Sequence, residues 1–195
     1  MIRLIPTIFL LTMISTAAPL TKGERERAMS ELHASRKMLI DAVAGVSEKQ
    51  LNWHSAPDRW SIADLAEHLA ATETFLFASF KQVAASPADP AAKAELGDED
   101  FLKSIRNRDK KFKAPAEITP KKAFSNTAAA LAAFKERRDN TISYVETTDA
   151  QDLRHKLMPN SKIDGYQMLL MLAAHAERHC AQIAEVKASP GYPKR

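Results

Sequence analysis

Four stretches of the chain repeat apolar residues at the spacing of a helix face. From Lys22 to about Val46, Met29, Leu32, Leu39 and Val43 recur at intervals of three, four and seven, the stripe of an amphipathic helix. The segment SEKQLNWHSAPDRW breaks this pattern, and Ser61 with Asp64 three residues later forms a capping-box signature ahead of Ile62, Leu65 and Leu69. A second helix is predicted from there to about Ala84. Pro87, Pro90 and Pro115 then punctuate a long connection over 85–119, which reads as a link rather than a core element. Thr119-Pro120 suits the start of a third helix carrying Phe124, Thr127, Leu131, Phe134, Thr141 and Val145 inward. Asp164 caps a fourth, which runs to about Ala188 before SPGYP stops it. These elements predict an all-α four-helix bundle with two short links and one long crossover.

Composition agrees with this: 45% of the 195 residues are hydrophobic and only five are glycine, which favours helices in one domain over a turn-rich sheet protein. At residues 1–17, Arg3 precedes an apolar run from Leu4 to about Ile14, and Ser15-Thr16-Ala17 offers small residues for cleavage before Ala18. This predicts a signal peptide over 1–17 and a periplasmic or secreted protein; a mis-assigned start codon would instead leave it cytoplasmic. The run is short and carries Pro6, so no membrane anchor is expected after cleavage. The domain proper is assigned to 20–193.

The net charge of +4 reflects 28 basic against 24 acidic residues spread along the chain, and no nucleic-acid partner is implied. The densest basic run, Lys103, Arg106, Arg108, Lys110, Lys111 and Lys113, follows Asp98, Glu99 and Asp100. That order suits a short helix with acids at the positive end of its dipole and bases at the other, and the run reads as a solvated face. The single cysteine, Cys180, excludes an internal disulfide and reads as a small packed hydrophobe.

Chemistry concentrates in histidine. On the fourth helix Met168, Leu172, His175, His179, Gln182 and Val186 step by four, three, four, three and four; on the second, Leu65, His68, Thr72 and Phe75 form a comparable row. Three imidazoles therefore converge on inward seams in one core layer. Clustered buried imidazoles are costly without something to coordinate, and residues at i and i+4 place two rings within reach of one ion. His68, His175 and His179 are thus candidate metal ligands; such an ion keeps open positions and acidifies a bound water. Three imidazoles suit several divalent metals alike. The competing expectation is a hydrogen-bonded histidine cluster with no metal. Gln182 and Glu73 are candidates for orienting a ligand or meeting substrate, while Glu67 and Glu177 read as solvated, and His33, His54 and His155 as surface residues.

The segments LNWHSAPDRWSIADLAEHLAATE at 51–73 and LLMLAAHAERHCAQI at 169–183 resemble the DinB-like superfamily of small metal-binding four-helix proteins. The resemblance spans Lys22 to Pro193 and implies an up-down-down-up bundle with the long crossover between helices two and three. It also implies zinc or nickel held by His68, His175 and His179, and a homodimer. For activity it implies a metal-activated thiol or water, with thiol S-transfer between a small-molecule thiol and an electrophile first and hydrolysis second. A non-catalytic or stress-related metal-binding bundle is the alternative.

Overall fold

A computed structural model describes residues 18–194; the predicted signal peptide lies outside them. The helices are α1 (Lys22–Val43), α2 (Glu48–Leu51), α3 (Ile62–Ala85), α4 (Asp98–Arg106), α5 (Thr127–Thr147) and α6 (Gly165–Ala188), with no strand among the described residues. Four long helices make the bundle: α1 packs against α5 and α6, and α3 against the same two. The Tyr166 hydroxyl donates to the Glu24 carbonyl at one end, and Lys187 Nζ to the Ala42 carbonyl at the other. Hence α1 and α6 run parallel. His68 near the start of α3 meets His179 in the second half of α6, so those two are antiparallel. Arg137 of α5 donates to the Ala70 carbonyl, and Tyr144 meets Phe80 one end further along, so α3 and α5 are parallel. The topology is up-down-down-up, and two consecutive parallel helices require the long crossover between them.

Local chemistry sets the helix starts. Thr21, Ser61 and Asp164 cap α1, α3 and α6, the first two in full capping boxes with Glu24 and Asp64. No helix among the described residues is long and apolar enough to cross a membrane.

Two expectations fail. The third bundle helix starts at Thr127, capped by Asn126, rather than at Thr119-Pro120. The Lys121 and Ala123 N–H groups donate to Glu67 Oε1, and Lys122 has φ 58°, a left-handed geometry that a helix cannot contain. The crossover is also more than a link. Its helix α4 carries Asp98, Glu99 and Asp100 in the first turn and Lys103 and Arg106 in the last, as expected, but buries Phe101 and Leu102 against α6.

Candidate metal centre

The three histidines meet. His179 Nε2 lies 3.2 Å from both His68 Nε2 and His175 Nε2, and the three candidate ligand nitrogens lie within 4.8 Å of one another. A tetrahedral ion with nitrogens at about 2.0–2.1 Å separates them by about 3.3–3.4 Å, so the set fits. The outer nitrogens reinforce it. His68 Nδ1 is 2.7 Å from the Ile118 carbonyl, which can only accept, and His179 Nδ1 is 3.0 Å from Gln182 Oε1. Both rings therefore carry their proton on Nδ1 and turn Nε2 lone pairs toward each other across 3.2 Å, with the Thr72 hydroxyl, 3.4 Å from His68 Nε2, as a long, weak donor beside them. Opposed lone pairs repel, and a cation between them removes the repulsion.

The cluster sits on the flank of the bundle rather than in one core layer. His68 and His179 are buried, but His175 and Gln182 are only half-buried and Phe75 is 39% exposed. The core row of α3 is Ile62, Leu65, Leu69, Glu73, Phe80 and Val83, and the His68 row borders it on the side of α6. A half-buried third ligand leaves the site reachable from solvent.

Burial lowers the pKa of all three histidines: that of His175 falls well below the ordinary value, and that of His179 to about 3 with His68 adding to the effect. Desolvation disfavours the imidazolium, so the folded, metal-free protein holds neutral rings where the unfolded chain takes up protons near the usual value of about 6.5. This stability is complete above that value and is lost as the pH falls from there toward the folded pKa values. Denaturant midpoints measured in chelator should fall between pH 7 and pH 5, and fall less for His179→Gln; equal slopes would contradict the assignment.

A strap formed by residues 107–123 borders the histidine cluster. Arg178, between the two histidines of α6, donates to the Ile105, Asn107 and Lys110 carbonyls and lies 5.3 Å from the Phe112 ring centre. At the other end the strap is tied to α3 through Ile118 on His68 and through Glu67. Trp60 closes a further side, its ring centre 4.7 Å from that of His68. Glu67 and Glu177 are thus engaged rather than simply solvated, Glu177 with Arg106 at 2.6 Å. Sequence periodicity missed the strap because its contacts run through backbone carbonyls and amides.

Of the remaining candidates, Gln182 supports His179, whereas Glu73 lies in a buried ion pair with Arg138. His33 and His54 are exposed and His155 half-buried. Cys180 is packed in the apolar core, where burial pushes its thiol up to about 12. Native protein should therefore react with iodoacetamide at neutral pH at least about 100-fold more slowly than urea-unfolded protein; comparable rates would show the thiol to be accessible.

A family model of the DinB superfamily matches residues 31–183. Among solved structures, the fold is similar to that of YfiT from Bacillus subtilis, with a TM-score of 0.58 and 19% identity over 89% of this chain and 91% of that one. YfiT is described as a probable metal-dependent hydrolase with an unusual four-helix bundle topology. Comparison with curated proteins gave no match.

Proposed function

Since the chain belongs to the DinB superfamily, we propose that it is a metal-dependent enzyme whose His68, His175 and His179 hold one divalent ion, zinc or nickel, through Nε2. The observation that carries this reading is the pair of Nδ1 hydrogen bonds that leaves the buried Nε2 lone pairs of His68 and His179 opposed at 3.2 Å. When bound, the ion supplies Lewis acidity that lowers the pKa of a water or thiol at its open positions. The chain's own residues do the rest. Ile118 and Gln182 fix the tautomers and ring planes of His68 and His179, and Trp60 excludes water beside His68.

Hydrolysis is the first reaction proposed, because the similar fold of YfiT is described with that activity. Thiol S-transfer is the second, and it requires a thiol from solution because Cys180 is buried with a raised pKa. The zinc- or nickel-loaded protein should hydrolyse activated esters or conjugate small thiols to electrophiles, and lose that activity in chelator. A loaded protein inert in both assays would support a non-catalytic metal-binding bundle instead. Export through the predicted signal peptide is also proposed, and N-terminal sequencing of secreted or periplasmic protein beginning at Ala18 would support it.

A further inference from the structure

Thr72 of α3 is 3% exposed, and its hydroxyl behaves unlike those of Ser35 and Thr141, which are buried in the interiors of α1 and α5. Those two turn to the carbonyl four residues earlier, at 2.8 and 3.1 Å, the usual local partner of a serine or threonine inside a helix. Thr72 makes no such bond. Its one hydrogen-bond partner among the described residues is His68 Nε2, at 3.4 Å. Because His68 Nδ1 donates to the Ile118 carbonyl, Nε2 carries no proton and Thr72 is the donor. At that length the bond is weak.

The lone pair that accepts from Thr72 is the one His68 would offer to a metal ion. An ion on Nε2 takes that acceptor away, and a buried hydroxyl proton left without one is costly. The neighbouring acceptors are engaged: the Ile118 carbonyl by His68 Nδ1, Gln182 Oε1 by His179 Nδ1, and Glu73 by Arg138 and Thr141. A neutral hydroxyl is not among the side-chain groups that zinc ordinarily takes as ligands. The acceptor that remains is an oxygen brought to an open position of the ion. Thr72 also stands where its row reaches the surface, since Phe75, three residues on, is 39% exposed.

We infer that Thr72 is a substrate-contacting residue, whose hydroxyl donates a hydrogen bond to a carbonyl or oxyanion oxygen of the molecule that reaches the ion beside His68. This rests on the metal-binding reading and adds to it a fixed donor that selects and orients an oxygen ligand. The donor needs no rearrangement to act, because the hydroxyl already faces the Nε2 atom on which the ion would sit.

The test is calorimetric titration of the zinc-loaded full chain with acetohydroxamate, a small oxyanion that binds zinc through its oxygens. The parent is compared with Thr72→Val and Thr72→Ala, which lack the hydroxyl, and with Thr72→Ser, which keeps it. Helical circular dichroism and elemental analysis come first, and all four proteins should be folded and hold zinc alike. The two hydroxyl-free variants should then bind acetohydroxamate about tenfold more weakly than the parent, equivalent to about 1.4 kcal/mol, as loss of one hydrogen bond to a bound anion does. Thr72→Ser should keep the parent's affinity. If Thr72→Val fails to fold, the comparison of Thr72→Ala with Thr72→Ser carries the test. Equal acetohydroxamate binding with and without the hydroxyl, a loss just as large in Thr72→Ser, or no binding to the zinc-loaded parent would overturn the inference while the metal reading stands. Zinc lost from both hydroxyl-free variants but kept by Thr72→Ser would make the hydroxyl a metal ligand and overturn it as well. Failure of the parent to load zinc, measured before any acetohydroxamate is added, would overturn both.

Discussion

Replacing His68 or His175 by Ala should abolish metal retention: the parent should carry about one equivalent of zinc or nickel by elemental analysis, and each variant less than about a tenth of that. Losing an outer-shell partner of a metal-bound histidine typically costs about 10–100-fold in affinity. Losing the imidazole itself costs more, because two remaining nitrogens make a poor tetrahedral set. Gln182→Ala should fall between, weakening affinity about 10–100-fold by freeing the His179 ring. Stability gives an independent readout. An ion that binds only the folded state adds about 4 kcal/mol when present at a thousand times its dissociation constant. Chelator should therefore lower the melting temperature of the parent and leave that of the two alanine variants unchanged. Helical circular dichroism separates loss of the site from loss of the fold. Either variant retaining a full equivalent would remove its histidine from the ligand set.

The parts of this site that were legible in the sequence are those that obey helical periodicity. His175 and His179 are one turn apart on a stripe, and His68 lies on a similar row of another helix, so convergence followed from spacing alone. What periodicity could not tell is which of two adjacent stripes on α3 faces the bundle axis: the row through Leu69, Glu73 and Phe80 does, and the row through His68 borders it. The strap was illegible for a different reason. Its position depends on carbonyls and amides bonded to Arg178, His68 and Glu67, and the backbone carries no residue code. The start of α5 was misplaced because Thr119-Pro120 is a good local signal overridden by the tertiary bonds of Lys121 and Ala123 to Glu67. Arg138 was overlooked although its spacing pointed inward. It falls four residues after Phe134 and three before Thr141, at a core position of α5, just as Glu73 falls four after Leu69 on α3. Two opposite charges on apolar stripes of neighbouring helices were the signal of a buried pair.

That pair underlies the second large effect. Arg138→Ala should destabilise the protein by about 3–5 kcal/mol, as removal of one partner of a buried ion pair does. Arg138 is fully buried and uses all its donors: Nε and one Nη2 hydrogen on the two oxygens of Glu73, Nη1 on the Leu32 carbonyl and Ser35 Oγ, and Nη2 again on the Leu172 carbonyl. One guanidinium thereby bonds α1, α3 and α6 from α5. Without it, Glu73 keeps only the Thr141 hydroxyl and is left as a charge in a dry interior, which is the dominant cost. Arg138→Met with Glu73→Leu removes both charges and should recover most of the loss, because apolar groups of similar volume can replace a buried pair at little net cost. Urea unfolding of the three proteins reads this directly. A loss under about 1 kcal/mol for Arg138→Ala would place the guanidinium in contact with water. The site should respond as well, since Glu73 lies five residues from His68 and Leu172 three from His175. The network thus clamps α3 against α6 close to the histidines. The apolar double variant, stable but without that clamp, should bind zinc more weakly than the parent, whereas a purely structural pair with no influence on the site would leave zinc affinity unchanged.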